Sequence, residues 1–190
     1  MKSHFLQETQ VYNGSQLSSH WIYRNLGILG DAVAAFRGGC QVDAAQMVDL
    51  EDVLNGDAIY SEYMLHFIVE LFGASLKEGV LLQRLFSSIL QDRINADAGT
   101  LVIRRIGDDL FYNNTQKLSV SICTVSPTSV LIHCGLNIDP QGAPVEAAGL
   151  QTDLGYSPEQ VEALALSAMR LLCEEWSDTI RSTCKVRAVP

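Results

Sequence analysis

Residues 117 to 138 constrain this chain more than any other stretch, because their hydrophobicity alternates with a period of two over two consecutive runs. In the first run Leu118, Val120 and Ile122 point one way and Lys117, Ser119, Ser121 and Cys123 the other. In the second, Val130, Ile132, Cys134, Leu136 and Ile138 share a face. The opposite face carries Ser129, His133, Gly135 and Asn137, with Leu131 as its apolar exception. A period of two marks a strand with one buried face. Ser126-Pro127-Thr128 between the runs reads as a turn. Matching the apolar faces of the resulting hairpin predicts a register with Lys117 opposite Asn137, Ser119 opposite Gly135 and Ser121 opposite His133. That polar face is either simply solvated or the floor of a binding site.

The surrounding pattern supplies a frame for the hairpin. Residues 5–12 read as a first strand, and a helix follows from the Asn13-Gly14-Ser15 turn to about residue 29, stopped by Gly30. Residues 31–36 read as a short strand that ends in an Arg37-Gly38-Gly39 loop, where the backbone can approach a ligand closely. Residues 46–50 and 64–71 read as strands on either side of an acidic, turn-rich segment at 51–57. Ser75 with Glu78 is a capping box. It opens a helix with Val80, Leu81, Leu85, Ile89 and Ile94 at helical spacing. Residues 100–106 are a further strand, and 139–155 a loose connection. Ser157-Pro158 with Gln160 opens a last helix. Its apolar stripe is Val161, Leu164, Ala165, Ala168, Leu171 and Leu172, and residues 183–187 add an edge strand. Grouped strands with helices between the groups predict an α+β fold, a mainly antiparallel sheet with helices packed on one face.

Bulk properties narrow the function classes. A length of 190 residues suits a single α+β domain over 1–190 with a real core. A net charge of −9 argues against a general nucleic-acid binder or a binder of anionic membranes. Five widely spaced cysteines with no CxxC point to reduced thiols and a cytoplasmic setting rather than a zinc site. The first residues lack the apolar core of a signal peptide, and no stretch reaches the length of a membrane span.

The order of these parts resembles the catalytic domain of biotin and lipoate protein ligases. The residues that carry the resemblance are Ser15 and Gln16 before the first helix, Arg37, Gly38 and Gly39, Asp108 and Asp109, Lys117, and Gly135 with Asn137. A second resemblance covers nearly all of the chain. Gly-Ser-Gln-Leu at 14–17, Ala-Phe-Arg-Gly at 35–38, Met-Leu-His-Phe-Ile-Val-Glu at 64–70, Lys-Leu-Ser-Val-Ser-Ile at 117–122 and Thr-Cys-Lys-Val-Arg at 183–187 are similar to the family called domain of unknown function 366. That family implies the ligase-like fold and no established activity.

The ligase resemblance implies a small-molecule ligand, ATP and Mg²⁺ as candidate cofactors, acyl-adenylate or acyl-transfer chemistry, and a homodimer. Such chemistry needs a cation at the phosphates, backbone donors and carboxylates for metal. The resemblance gives Lys117 the catalytic cation and makes Arg37 with the Gly38 and Gly39 amides an anion site. Asp108 or Asp109 would hold Mg²⁺ or a ribose hydroxyl, and Ser119, Ser121, Gly135 and Asn137 would shape the pocket; His133 on the same face is a further candidate, whose plainer role is a hydrogen-bonded structural histidine. Two positions depart from the ligase pattern: Asp108 stands where ligases carry asparagine, and Val120 where they carry glycine. Each residue also has a plainer role open to it. Lys117 can be an edge-strand lysine, Arg37 a partner of Asp31 or Asp43, and Asn137 a cap of the Asp-Pro turn. His66 and Glu70, four apart, fit a metal pair only on a helix. A non-catalytic binding module and an oligomer-forming structural protein are the alternatives to an enzyme.

Overall fold

The structure is a computed structural model that describes residues 1–56 and 59–189. Strands β1 (Lys2–Phe5), β2 (Ala32–Val42), β3 (Ile59–Phe72), β7 (Ser119–Val125) and β8 (Ser129–Asp139) form a five-stranded sheet in the order β1-β2-β3-β8-β7. Strands β4 (Ile103–Ile106), β5 (Asp109–Tyr112) and β6 (Gln116–Lys117) form a second sheet. Among the described strands, β1 and β2 pair in parallel and the other paired strands are antiparallel. The helices are α1 (Trp21–Leu26), α2 (Leu50–Asn55), α3 (Leu76–Ala98) and α4 (Pro158–Cys184). The fold is α+β, as expected, with the two long helices on one face of the larger sheet.

That face is the main core. Odd-numbered Leu65, Phe67, Val69 and Leu71 of β3 and even-numbered Val130 to Ile138 of β8 meet Phe86 and Leu90 of α3 and Val161 and Leu172 of α4. On the opposite face Tyr12, Trp21 and Ile22 cover Phe36, Met64 and Ile68. Burial on both sides explains why residues 64–71 read as a nearly continuous apolar run.

Both long helices start where the caps place them. Ser75 with Glu78 and Ser157 with Gln160 each form a complete capping box. The buried α3 stripe includes Gly79, Leu82, Phe86, Leu90 and Ile94, with Ile89 buried as expected, whereas Leu81 is exposed. The cause is a close approach: a β-carbon on Gly79 would lie 2.3 Å from Val130 Cγ1, so the glycine must face the sheet.

Several local expectations are corrected. Helix α1 is a single short piece ending at Gly27, whose left-handed φ of 68° stops it before Gly30. Residues 46–50 are not a strand: a 3-10 turn (Ala44–Gln46) leads to α2, capped by Asp49. Asp57, the end of the acidic segment, lies outside the described residues. Residues 183–187 add no strand, because α4 runs on to Cys184.

Asn95 ties the end of α3 to β4. Its buried amide oxygen accepts from the Val102 and Ile103 amides, and its nitrogen donates to the Ile103 carbonyl. Asn95→Ala strands these groups and is expected to cost about 3 kcal/mol in urea unfolding. A loss below about 0.5 kcal/mol, typical of surface positions, would show the tie to be dispensable.

Candidate functional site

The alternating hairpin does form, but one residue out of the expected register. Ser119 opposes Leu136, Ser121 opposes Cys134, and Ile122 opposes His133. The turn decides this. The Ser126 hydroxyl accepts from the Thr128 and Ser129 amides, and the Ser126 amide donates to the Ser129 carbonyl, so the turn includes Ser129 as well. A one-residue slip exchanges the faces of a strand. Leu118 makes the exchange possible, because it belongs to neither β6 nor β7 and sits where the chain passes between sheets.

Ser119 and Ser121 therefore face the helices. Ser119 Oγ accepts from the Leu110 amide at 2.8 Å. Ser121 Oγ accepts from Gln83 Nε2 at 2.9 Å and donates to the His133 carbonyl at 3.2 Å. Val120 and Ile122 take the face shared with His133 and Gly135.

A cavity of about 450 Å³ opens beside β7. Because β7 is the sheet's edge, residues of both its faces border it: Ser119, Val120, Ser121 and Ile122. Lys117, Asp108, Asp109, His133 and Asn137 line it as well. Lys117 is fixed through its backbone. Its amide donates to the Glu146 carbonyl, and its carbonyl accepts from the Ala148 amide and from Asn137 Nδ2 at 3.2 Å. Asn137 Oδ1 in turn accepts from Ser61 Oγ. The Asn137 side chain thus holds the Lys117 backbone rather than capping the Asp-Pro turn.

Lys117 Nζ lies 3.2 Å from Asp109 Oδ1. Burial raises the Asp109 carboxyl above its ordinary range, and Lys117 opposes that shift without cancelling it. Asp108 accepts from Gln83 Nε2 and faces Arg84 at 3.7 Å. Among the described lining residues Lys117 is the one cation, against Asp49, Asp52, Asp108 and Asp109.

Other expected site residues lie elsewhere. Arg37, Gly38 and Gly39 are not a loop but the middle of β2. Arg37 points to α4, 3.7 Å from Glu162, with its guanidinium over the Phe5 ring. Neither Asp31 nor Asp43 is its partner; Asp31 instead accepts from the Phe72 amide and Trp176 Nε1. Gly38 is needed for packing, since a β-carbon there would sit 1.9 Å from the Gln10 carbonyl oxygen. Gln16 is buried and bonds the Val11 carbonyl and the Asn13 amide, and Ser15 bonds Asn13. These residues shape the 11–17 segment and do not line the cavity. Gly135 leaves room for Met64 and Val120 beneath the cavity.

What sequence reasoning missed is a buried imidazole pair. His66 Nδ1 lies 3.1 Å from His133 Nε2, and His66 Nε2 lies 3.2 Å from the Gly38 carbonyl oxygen. The Tyr12 ring stacks on His133, with centroids 3.7 Å apart and planes at 9°. Burial lowers the His66 pKa to about 4 and holds His133 well below its ordinary value, helped by the neighbouring His66. His66 does not pair with Glu70, whose carboxylate accepts from the His20 amide and Ser129 Oγ. Sequence carries no signal for a pair 67 residues apart, because its contact depends on the register of β3 against β8.

The architecture is that of the biotin and lipoate protein ligases. The chain is similar to biotin protein ligase from Aquifex aeolicus in complex with biotin and ATP: 12% identity, TM-score 0.56, covering 91% of this chain and 69% of that one. It is similar to lipoate-protein ligase A bound with ATP at 13% identity and TM-score 0.53, covering 92% and 86%. The chain belongs to the family described as domain of unknown function (DUF366), whose model matches residues 1–187. An uncharacterised protein of Methanocaldococcus jannaschii is 33% identical over 157 residues, 80% of this chain and 69% of that protein. A protein of unknown function from Pyrococcus horikoshi is 39% identical with a TM-score of 0.90, covering 100% and 99%. No helix among the described residues is long and apolar enough to cross a membrane.

Proposed function

We propose that the cavity beside β7 binds a small molecule with an anionic group, nucleotide or carboxylic acid, and that Lys117 holds that group. The observation that carries this reading is the preparation of Lys117. Asn137 and the 146–148 segment fix its backbone, Asp109 aims its ammonium, and the cavity holds no competing cation among its described lining residues. The reaction this arrangement supports is acyl-adenylate or acyl-transfer chemistry, in which the ammonium stabilises charge on the phosphates. Mg²⁺ is usually bound by one or two carboxylates plus substrate phosphates. Asp108 and Asp109 supply that number, and no larger cluster of metal-ligating groups exists among the described residues. The ion would then arrive with the nucleotide, its charge offsetting the aspartates. The acidic net charge supports a small-molecule partner over nucleic acid, in a cytoplasmic protein, and the homodimer implied by the ligase resemblance belongs to the same reading.

A second reading, a binding module without chemistry, is favoured by one feature: Lys117 is already neutralised by Asp109 in an acid-rich cavity. Thermal melting with ATP, biotin, lipoate, octanoate and nucleobases separates the two, because a ligand that binds only the native state must stabilise it. The enzyme reading expects a shift with ATP that needs Mg²⁺. It also expects Lys117→Ala to weaken ATP roughly thirtyfold, the loss of one charge-assisted hydrogen bond of about 2 kcal/mol. A shift with a small acid alone points to the binding module. No shift with any of them rejects both.

A further inference from the structure

We propose that His133 Nδ1 is a fixed hydrogen-bond acceptor at the cavity floor, and that the ligand presents an uncharged N–H or O–H donor to it. This rests on the cavity being a ligand site and goes beyond the anion contact at Lys117. The argument is a chain of obligatory roles. A carbonyl oxygen only accepts, so the Gly38 carbonyl requires the proton of His66 to sit on Nε2. His66 is fully buried and has no carboxylate against it, so it carries one proton, and its Nδ1 must accept. His133 Nε2 then donates to that atom at 3.1 Å. A neutral imidazole has one proton, which leaves the lone pair on His133 Nδ1.

The surroundings hold this state in place. Tyr12 lies flat on the His133 ring, and the contact of His133 Nε2 with His66 Nδ1 sets which ring edge faces inward. Phe36 packs against His66, with ring centroids 5.1 Å apart. The buried side-chain nitrogens and oxygens left without a partner, among the described residues, are Gln10 Nε2 and Arg93 Nε. His133 Nδ1 makes no hydrogen bond among the described residues, and His133 lines the cavity. An anion or a bare carbonyl at this point would meet a lone pair and leave it unsatisfied, which is unfavourable in a dry site. Asn137, at the level of Lys117, lies four residues along β8 from His133, or about 13 Å of strand. A ligand that uses both ends therefore has an anionic group and a neutral donor-bearing group at opposite ends.

The free protein tests the first half by nitrogen-15 NMR of the histidine side chains. Both His66 and His133 are expected to carry their proton on Nε2 at neutral pH. A proton on His133 Nδ1 overturns the proposal outright. The second half uses two neutral rings of nearly equal size as probes, 2-imidazolidinone, which has N–H donors, and 1,3-dimethyl-2-imidazolidinone, which has none. The His133 Nδ1 resonance is expected to shift with the first and stay still with the second. Equal shifts, or no shift up to the solubility limit, overturn it. These readouts use neither ATP nor Lys117, so their failure is distinguishable from failure of the anion site.

Discussion

Gly38→Ala is expected to destabilise the protein by about 3 kcal/mol in urea unfolding, the upper range for overpacking a core. The added methyl would lie 1.9 Å from the Gln10 carbonyl oxygen and 2.6 Å from its carbon. Both are backbone atoms, so no side chain can swing away. Relief requires the 10–12 segment to lift from β2, breaking the bonds from the Gln10 amide to Arg37 and from the Tyr12 amide to Gly39. Lifting also draws Tyr12 off His133, so damage here reaches the cavity floor. Gly39→Ala is the control. Its methyl would meet the Glu62 carbonyl oxygen at 3.2 Å and the Ser61 carbonyl oxygen at 3.8 Å, and a cost of about 1 kcal/mol or less is expected. Equal, small effects at both positions would mean that these glycines form an open loop after all.

Acid is expected to weaken the fold before the bulk of the carboxylates titrate. An unfolded histidine protonates near pH 6.5, whereas burial lowers His66 to about 4 and holds His133 well below its ordinary value. In this window the unfolded state binds more protons than the native state, so stability falls as pH falls. The contribution is complete above about pH 6.5 and is lost progressively towards pH 4. Between pH 7 and pH 5 His66 alone removes about 2 kcal/mol, at 1.36 kcal/mol per pH unit, and His133 acts in the same direction. Urea unfolding across these two pH values should therefore show a loss of at least about 2 kcal/mol. A flat profile would mean that the pair is solvated or that its protons are shared differently.

The parts of the fold legible in the sequence are those set by local rules. The Ser75 and Ser157 capping boxes, the apolar face of Val130 to Ile138 and the α4 stripe each depend on spacing within one element. What could not be read depends on contacts between elements. Whether Ser119 faces the cleft or the helices is decided by one turn residue, Ser129, and by the sheet-to-sheet passage at Leu118. Arg37-Gly38-Gly39 has the composition of a ligand loop. It is strand because the 10–12 segment needs a residue without a side chain to pack against. At the site, Lys117 and the Asp108-Asp109 turn stood out through their order along the chain. Asn137 also stood out, but its task of holding the Lys117 carbonyl is a tertiary fact. The His66–His133 pair lay in plain view as two separate histidines, and only the strand register joins them.

The most direct measurement is a crystal structure of the chain with whichever compound of the melting panel stabilises it most. The anionic group is expected within hydrogen-bonding distance of Lys117 Nζ, beside Asp108 and Asp109, with the rest of the molecule running along β7 towards His133. A ligand seated instead on the Arg37–Glu162 face, or a cavity that stays empty while the ligand binds elsewhere, would contradict the account.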